Sequence, residues 1–514
     1  MSTRFARTKD GFSYTKATGE LKRGLVSEGA ICPSTSFASS PQSTYDVIVI
    51  GAGYSGLVAA RDAASAGLST LLIEARDRIG GRSWTSKDEH GNLYEMGGTW
   101  IHNQQGFVWR ELARYGMDRN LKLSPNEDYS SHAYSMARRN GIEYKQDYAT
   151  NEAVMDRAMR IFTNLPGASV QEAVPFPPHL LDSFLSDPKL TALYDTTSCA
   201  ERVAQVEKEG LLTNEELAYL VAYIELCFGA RLEKCSMLVW AKWYTHGNCS
   251  YKLLNDLLIV YKIATGQSSL ARKIFDEAAS TGKLSYSFES PVSKIIDRPS
   301  ATRVVTSRGT FSARRLICTL PINVAGKVEF DPPVSALRQE AWKEGHVNRC
   351  LKVHSEIAGP EFRSWTGNLC DDDVPSGRQL SMAIGDQLLK SGNAAVVAFG
   401  IDFDEEKAPS KNPRGIASLF GEFDPELEKR YIGSTWHEWG SDEFANGAWA
   451  MPGVGFSTKY LKELQSRHGN VLWAGADISD DWNSFIDGAI SSGTRAAYTV
   501  VEEWRRTTLP SAKL

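Results

Sequence analysis

The sequence has none of the patterns that mark several large classes of protein. No apolar run reaches the roughly 18 residues of a membrane-spanning helix, and residues 1–43 contain no apolar core typical of a secretory signal. The net charge of -5 predicts no basic surface for nucleic acid. The eight cysteines are dispersed without a Cys-x-x-Cys pair, which argues against a disulfide framework or a metal site. A globular protein without a nucleic-acid partner or a membrane span is therefore expected.

The most informative pattern begins with a short apolar segment. Asp46 to Ile50 is rich in β-branched residues, as is typical of a strand buried on both faces. Gly51, Gly53 and Gly56 follow with the spacing G-x-G-x-x-G. In such a motif the glycines permit a tight turn, the close approach of a pyrophosphate, and the close packing of a helix on a strand. A nucleotide-binding turn is predicted here.

The residues after the glycines complete the pattern. Small and apolar residues recur at helical spacing from Ser55 to Ala66, which predicts a helix. The apolar residues from Thr70 to Ile73 predict a second strand. Glu74 stands 18 residues after Gly56, where a carboxylate accepts hydrogen bonds from an adenosine ribose and disfavours a 2′-phosphate. The N-terminus of the helix offers unpaired N–H groups to a diphosphate. The order strand, turn, helix, strand and acid predicts a dinucleotide site.

A second glycine pair narrows the choice of dinucleotide. Gly80 and Gly81 are followed by Arg82, which offers a second close backbone approach and a guanidinium for a diphosphate. Nicotinamide dehydrogenases do not need this extension. The run from Glu74 to Arg82 resembles the flavin amine oxidase family, in which it continues the FAD site. The resemblance implies FAD as the cofactor.

The resemblance extends over nearly the whole chain and implies further cofactor contacts. In the family, a passage similar to Gly97 to Trp100 lies under the isoalloxazine, a valine matching Val292 contacts adenine, and a tryptophan matching Trp439 lies beside the benzenoid ring. Together, the glycine motif and the resemblance imply these cofactor-binding residues: Gly51, Gly53, Ser55, Gly56, Glu74, Ala75, Arg76, Gly81, Arg82, Gly97, Gly98, Thr99, Trp100, Val292, Trp439, Gly475, Asp477, Phe485, Ile486 and Ala489.

The resemblance also implies the catalytic residues Lys352, Trp449 and Phe485. In the family, a lysine on the matching strand hydrogen-bonds through a water to flavin N5. If Lys352 is buried, its pKa falls, and its charge assists the reduction of dioxygen. Trp449 and Phe485 match two aromatic residues that face each other across the substrate. Ala448 replaces the cysteine that bonds the flavin in the animal enzymes, so the FAD is expected to be non-covalent, as in the fungal monoamine oxidase N type.

The expected fold class is α/β, a Rossmann-type FAD-binding domain with a discontinuous α+β substrate domain. The 514 residues, 42% of them hydrophobic, are sufficient for two domains. The predicted division is an N-terminal arm (1–43), an FAD-binding domain (44–122, 255–325 and 440–505), a substrate-binding domain (123–254 and 326–439) and a C-terminal tail (506–514).

The resemblance implies an FAD-dependent oxidase of small primary or secondary amines. The amine loses a hydride to flavin N5 and becomes an imine, O2 reoxidises the flavin to give H2O2, and hydrolysis yields an aldehyde or ketone plus ammonia. An apolar aromatic cage favours the neutral amine by desolvating the ammonium. The alternatives are an L-amino acid oxidase, a polyamine oxidase and a non-catalytic flavin-binding scaffold. The amino acid oxidase needs an arginine for the substrate carboxylate, such as Arg231, Arg349 or Arg363.

The last residues carry a targeting pattern. Ala512-Lys513-Leu514 is a conservative variant of the Ser-Lys-Leu address read by the peroxisomal import receptor. An enzyme that makes hydrogen peroxide gains from a compartment that contains catalase. A peroxisomal location is predicted, with the cytosol as the alternative, and a homo-oligomer is left open.

Overall fold

A computed structural model describes residues 5–37, 44–124, 130–176 and 187–508. The predicted signal at 512–514 lies outside these residues, as does part of the expected N-terminal arm. No helix within the described ranges is both long and apolar enough to cross a membrane.

Among the described residues, the strands form two large nine-stranded sheets, one four-stranded sheet and one two-stranded pair. In chain order the strands are β1 (Ala6–Arg7), β2 (Phe12–Thr15), β3 (Glu20–Arg23), β4 (Val26–Ser27), β5 (Thr35–Ser36), β6 (Tyr45–Ile50), β7 (Thr70–Ile73), β8 (Thr85–Lys87), β9 (Leu93–Glu95), β10 (Leu121–Leu123), β11 (Ser135–Arg139), β12 (Ile142–Gln146), β13 (Tyr261–Ile263), β14 (Leu284–Ser287), β15 (Val292–Arg298), β16 (Ala301–Thr306), β17 (Gly309–Cys318), β18 (Glu329–Asp331), β19 (Lys352–Ile357), β20 (Thr366–Leu369), β21 (Leu380–Leu388), β22 (Ala394–Gly400), β23 (Tyr431–His437) and β24 (Val471–Trp473).

The helices follow or separate these strands. In chain order they are α1 (Tyr54–Ser65), α2 (Gly106–Arg114), α3 (Tyr148–Thr163), α4 (Val170–Ala173), α5 (Pro188–Thr196), α6 (Cys199–Lys208), α7 (Asn214–Phe228), α8 (Met237–His246), α9 (Tyr251–Ile259), α10 (Gln267–Ser280), α11 (Ile322–Ala325), α12 (Ala336–Glu344), α13 (Ile416–Gly421), α14 (Pro425–Arg430), α15 (Phe456–Gln465) and α16 (Ile486–Thr508).

The first large sheet has the parallel centre that the glycine motif predicts. β6 pairs in parallel with β7 and β17, and β17 also pairs in parallel with β24. Helix α1 connects β6 to β7 and packs against α10 and α16. Val47, Ile48 and Val49 are fully buried, as expected for a strand covered on both faces. The predicted α/β fold with a Rossmann-type unit is confirmed.

The second large sheet is mostly antiparallel. Its order is β12-β11-β20-β21-β22-β19-β23-β2-β3. β19 and β22 pair antiparallel, with Lys352 opposite Phe399. The helices from α3 to α9 form a separate apolar cluster that includes Tyr223 and Trp240.

Within residues 5–37, the expected N-terminal arm contributes strands to both nine-stranded sheets and to the four-stranded sheet. β1 and β4 belong to a sheet with β8 and β9, β2 and β3 extend the second large sheet, and β5 pairs with β14 at the edge of the first. The sequence did not reveal this, because each of these strands has only two to four residues and no strong alternation. Within residues 5–37 the chain therefore contacts both large sheets.

One buried ion pair joins α1 to α2 behind the first sheet. Arg61 Nη2 donates to Glu111 Oε1 at 3.0 Å, and the two side chains are 1% and 0% exposed.

Glu111→Leu leaves the buried Arg61 guanidinium with Asp62 as its ion-pair partner, so it should lower the free energy of unfolding by about 3–5 kcal/mol. The double variant Arg61→Met/Glu111→Leu should recover most of that loss. Urea unfolding measures both; a loss below about 1 kcal/mol for Glu111→Leu alone would contradict the structural role of the pair.

Candidate cofactor and active site

A cavity of about 410 Å³ is lined by residues of both large sheets. It extends from the glycine turn after β6 to aromatic side chains of α7 and α8 and to Phe485, just before α16. This volume is typical of a small-molecule site. The cavity contains all of the residues predicted for the site except Gly56 and Asp477.

Gly56 and Asp477 support residues of the lining without lining the cavity themselves. A Cβ atom on Gly56 would overlap the carbonyl oxygen of Gly51, so this glycine lets α1 approach β6. Asp477 is buried, forms an ion pair with Arg82, and accepts a hydrogen bond from the Ile322 N–H at 3.0 Å. Asp477 therefore holds a lining residue and does not itself line the cavity.

Two glycine turns meet at the floor of the cavity. Gly51 has a φ of 100° and Gly81 a φ of 58°, a region that favours glycine. A Cβ on Gly81 would lie 3.0 Å from the Cα of Gly53. The Gly80 N–H also donates to the Ala52 carbonyl at 2.8 Å. Backbone therefore forms this part of the floor, and a ligand can approach it closely.

Two polar groups at this floor fit a dinucleotide. The buried Ser55 hydroxyl, in the first turn of α1, has no hydrogen-bond partner among the described residues, and such a group is costly unless a ligand binds it. Glu74 accepts hydrogen bonds from the N–H groups of Ala52 and Arg76 at 2.6 and 2.9 Å. Burial raises the pKa of Glu74, against the opposing effect of those two N–H groups. These groups fit a diphosphate and a ribose.

The two arginines of the extended motif line the cavity with their charges already paired. Arg76 forms ion pairs with Asp10, at 3.0 Å, and with Asp442. Arg82 forms its ion pair with Asp477 and donates to the Ala448 carbonyl at 2.8 Å. Internal partners thus hold both guanidinium groups in place.

Lys352 is buried beside the second glycine pair. Its Nζ donates to the Gly97 carbonyl at 2.9 Å and to Thr99 Oγ1 at 2.6 Å. Burial lowers the pKa of Lys352 to about 8, although the charges of Asp386 and Glu95 oppose that effect. The sequence left the burial of this lysine open, and the structure establishes it.

Apolar and aromatic side chains form the end of the cavity beyond Lys352, which we call the aromatic end. Trp449 Nε1 donates to the Cys227 carbonyl at 2.8 Å. Phe485 packs against Trp243, with ring centroids 4.8 Å apart. Sequence reasoning predicted Trp449 and Phe485 but missed the other members of the aromatic end: Tyr223, Leu226, Cys227, Trp243, Leu258, Ile259, Met382, Ile384 and Phe399. Only the dense aromatic residues around Trp243 were a signal for them.

Trp439 and Val292 lie on the lining as the resemblance implies. Trp439 is 2% exposed, and its Nε1 donates to the Met96 carbonyl at 2.7 Å. Val292 lines the cavity together with Ser290 and Pro291.

The three arginines considered for a substrate carboxylate lie elsewhere in the described residues. Arg349 donates to the Gly440 carbonyl at 2.7 Å. Arg231 pairs with Asp372 at 2.5 Å, and Arg363 donates to the Gly385 carbonyl at 3.3 Å. None of the three lines the cavity.

Known proteins are similar to this chain over most of its length. Pseudooxynicotine dehydrogenase of Pseudomonas sp is 28% identical over 461 residues, covering 89% of this chain and 86% of that protein. Nicotine dehydrogenase of Pseudomonas putida is 26% identical over 512 residues, covering 96% of this chain and 98% of that protein. The solved structure of wild-type putrescine oxidase bound to putrescine has a TM-score of 0.70 and 21% identity, and the match covers 89% of this chain and 99% of that one. This last likeness concerns the fold alone.

The family match agrees with the geometry of the cavity. Residues 54–501 match the family described as flavin containing amine oxidoreductase. This range begins at the first residue of α1 and includes Lys352, Trp449 and Phe485. The chain therefore belongs to the flavin-containing amine oxidoreductase family.

Proposed function

We propose that this enzyme oxidises small, apolar primary or secondary amines, with FAD held non-covalently and O2 as the electron acceptor. Membership of the family makes the chain a flavin-containing amine-oxidising enzyme. The preference for apolar monoamines rests on one observation, which is that none of the side chains of the aromatic end, among the described residues, is an acid, a lysine or an arginine. The relatives are named for different substrates, so the substrate class proposed for this chain is inferred from its own cavity.

The lining of the aromatic end suits the chemistry of amine oxidation. Bound FAD supplies the acceptor for the two electrons and the hydrogen that leave the carbon next to nitrogen. Tyr223, Trp449 and Phe485 desolvate the amine, which lowers the pKa of its ammonium form and favours the neutral, reactive amine. The same rings restrict its orientation by shape. We describe these residues as an aromatic cage.

Lys352 suits the reaction with dioxygen. Its Nζ is held by the Gly97 carbonyl and the Thr99 hydroxyl, and its cation lies 5.1 Å from the centroid of the Trp100 ring. A fixed cation in an apolar site stabilises the negative charge that forms as O2 is reduced to H2O2. Water then hydrolyses the released imine to a carbonyl compound.

The alternatives lack support in the cavity. An amino-acid oxidase needs a cation for the carboxylate, but Arg231, Arg349 and Arg363 all bind other groups. A polyamine oxidase needs acids near the distal nitrogen, and the aromatic end contains none among the described residues. The lining side chains Lys352, Trp449 and Phe485 also argue against a non-catalytic scaffold.

The closer assignment to the fungal monoamine oxidase N type rests on Ala448 and on the Trp449–Phe485 pair. Ala448 lines the cavity where the animal enzymes carry the cysteine that bonds the flavin. The peroxisomal location and the import receptor rest on residues 512–514 alone and stay predictions. A homo-oligomer is likewise left as a prediction.

Non-covalent binding of FAD has a direct test. Precipitating the holoenzyme with acid or urea should release the flavin into the supernatant, because Ala448 offers no nucleophile. Yellow colour that stays with the pellet would refute this part of the proposal.

Trp449→Ala should reduce amine turnover by about 10²-fold while FAD stays bound, because the substitution opens the cage and loosens the orientation of the amine. A peroxide assay over a panel of monoamines, amino acids and polyamines, with flavin absorbance measured in parallel, checks both claims. Trp109→Ala, a half-buried tryptophan outside the cavity lining, is the matched control. Loss of FAD from Trp449→Ala, with turnover per bound flavin unchanged, would contradict the cage.

Lys352→Met should slow the O2 half-reaction by about 10²–10³-fold and affect the amine half-reaction less. In the unmodified enzyme, the O2 rate should fall as the pH rises through about 8, because Lys352 carries its charge only below that pKa. Stopped-flow traces of the two half-reactions measure both effects, with surface Lys459→Met as the control. A pH dependence that persists in Lys352→Met, or an O2 rate near zero in the unmodified enzyme, would contradict this role.

A further inference from the structure

Asp10 binds two arginines of the loop that follows β7. Its Oδ2 accepts a hydrogen bond from Arg76 Nη1 at 3.0 Å and from Arg78 Nε at 2.8 Å. The side chains of Arg76 and Arg78 are 8% and 0% exposed. Burial raises the pKa of Asp10, but the charges of Arg78 and Arg76 lower it further, to about 2. One carboxylate thus neutralises two buried cations.

Both arginines lead directly to the lining of the cavity. Arg78 Nη1 donates to the Gly81 carbonyl at 2.7 Å, and Gly81 forms the cavity floor together with Gly53. Arg76 itself lines the cavity. The position of Asp10 therefore affects the second glycine turn and one wall of the cavity.

Arg76 carries the connection to the opposite wall. Its second ion pair is with Asp442, which also binds His437 Nε2 at 2.8 Å. The Arg76 guanidinium lies 5.4 Å from the ring centroid of Phe444 and 6.0 Å from that of Trp439. Both aromatic rings line the cavity. Asp10 and Asp442 thus hold Arg76 from two sides.

The neighbours of Asp10 bind the same loop. Thr8 Oγ1 donates to Asp77 Oδ1 at 2.5 Å, and the Lys9 N–H donates to Asp77 Oδ2 at 2.9 Å. Later in the segment, the Ile31 N–H donates to the Asp77 carbonyl at 2.9 Å. Residues 8–10 thus bind three successive residues of the loop, 76–78.

We propose that Asp10 is a positioning residue of the FAD site, through which the N-terminal segment, residues 5–37, sets the affinity for FAD. This inference rests on the assignment of the cavity as the FAD site. Without the Asp10 charge, Arg78 keeps the carbonyls of Ile79 and Gly81 and the face of the Trp84 ring, but no ion-pair partner. Arg76 keeps its ion pair with Asp442. Burying a charge without a counter-charge is unfavourable, so Arg78 moves toward water, and Arg76 loses one of the two carboxylates that hold it. The floor and the wall that contact the dinucleotide then lose their preset geometry.

The test is the rate at which the full-length holoenzyme loses FAD. After dilution, the rise in flavin fluorescence should be at least about 10-fold faster in Asp10→Asn than in the unmodified enzyme, the factor expected from losing charge-assisted hydrogen bonds. The rise in Tm that added FAD produces should shrink as well. Glu20→Gln, an exposed position on β3 of the same segment, is the charge-matched control and should release FAD at the unmodified rate.

Several outcomes are decisive. Equal release rates for Asp10→Asn and the unmodified enzyme, with a lower Tm for both apo and holo forms, would show a purely structural role and overturn the inference. If Asp10→Asn does not fold, Thr8→Val is the deciding variant, because it removes the hydroxyl that binds Asp77 in the same loop. Release of FAD about 3-fold faster supports the inference, and an unchanged rate overturns it. Failure of the unmodified protein to bind FAD would instead refute the proposed function.

Discussion

The close contact between two backbone turns is the constraint on which the rest of the site depends. Gly51 to Gly53 leave β6, and Gly80 and Gly81 follow β7. The two turns approach so closely that a Cβ atom on Gly81 would lie 3.0 Å from the Cα of Gly53. Because β6 and β7 are parallel neighbours, their carboxyl ends meet at one edge of the sheet. This edge is where the cavity begins, and it explains why a ligand there meets N–H groups before side chains.

Charges around the cavity are held by internal partners. Arg76 and Arg82 each have a buried aspartate, Glu74 has two backbone N–H groups, and Lys352 has a carbonyl and a hydroxyl. A charge that already has its partners does not need to reorganise when a ligand arrives. Internal partners hold these groups, so the cavity presents fixed charges near the cofactor motifs and an apolar surface at the aromatic end.

The aromatic end depends on a different set of elements from the glycine floor. Its side chains come from α7, α8, α9, β21 and β22, from Trp449 and from Phe485 just before α16, which are far apart in the chain. Phe485 is held by Trp243 and by Trp482, whose ring centroid lies 5.1 Å away. On the proposed function, substrate choice would depend on the packing between the helical layer and the second sheet, and cofactor binding mainly on the first sheet.

The sequence alone determined the parts of the protein whose residues lie close together in the chain. Local periodicity, together with turns that favour glycine, predicted the strand at Asp46 to Ile50, the helix that follows the glycines and the position of the acid Glu74. Lys352, Trp449 and Phe485 were found only through a resemblance, because single residues carry no periodic signal.

Only the tertiary structure decided which distant residues share the cavity. Tyr223, Met382 and Phe399 could not be distinguished in the sequence from ordinary core residues, and the three arginines could not be placed relative to the substrate. The role of Asp10 was also hidden, since 66 residues separate it from Arg76. The local sequence pattern determines which element a segment forms. The contacts that hold charges and shape a pocket form only when distant elements pack together, and short-range periodicity does not predict that packing.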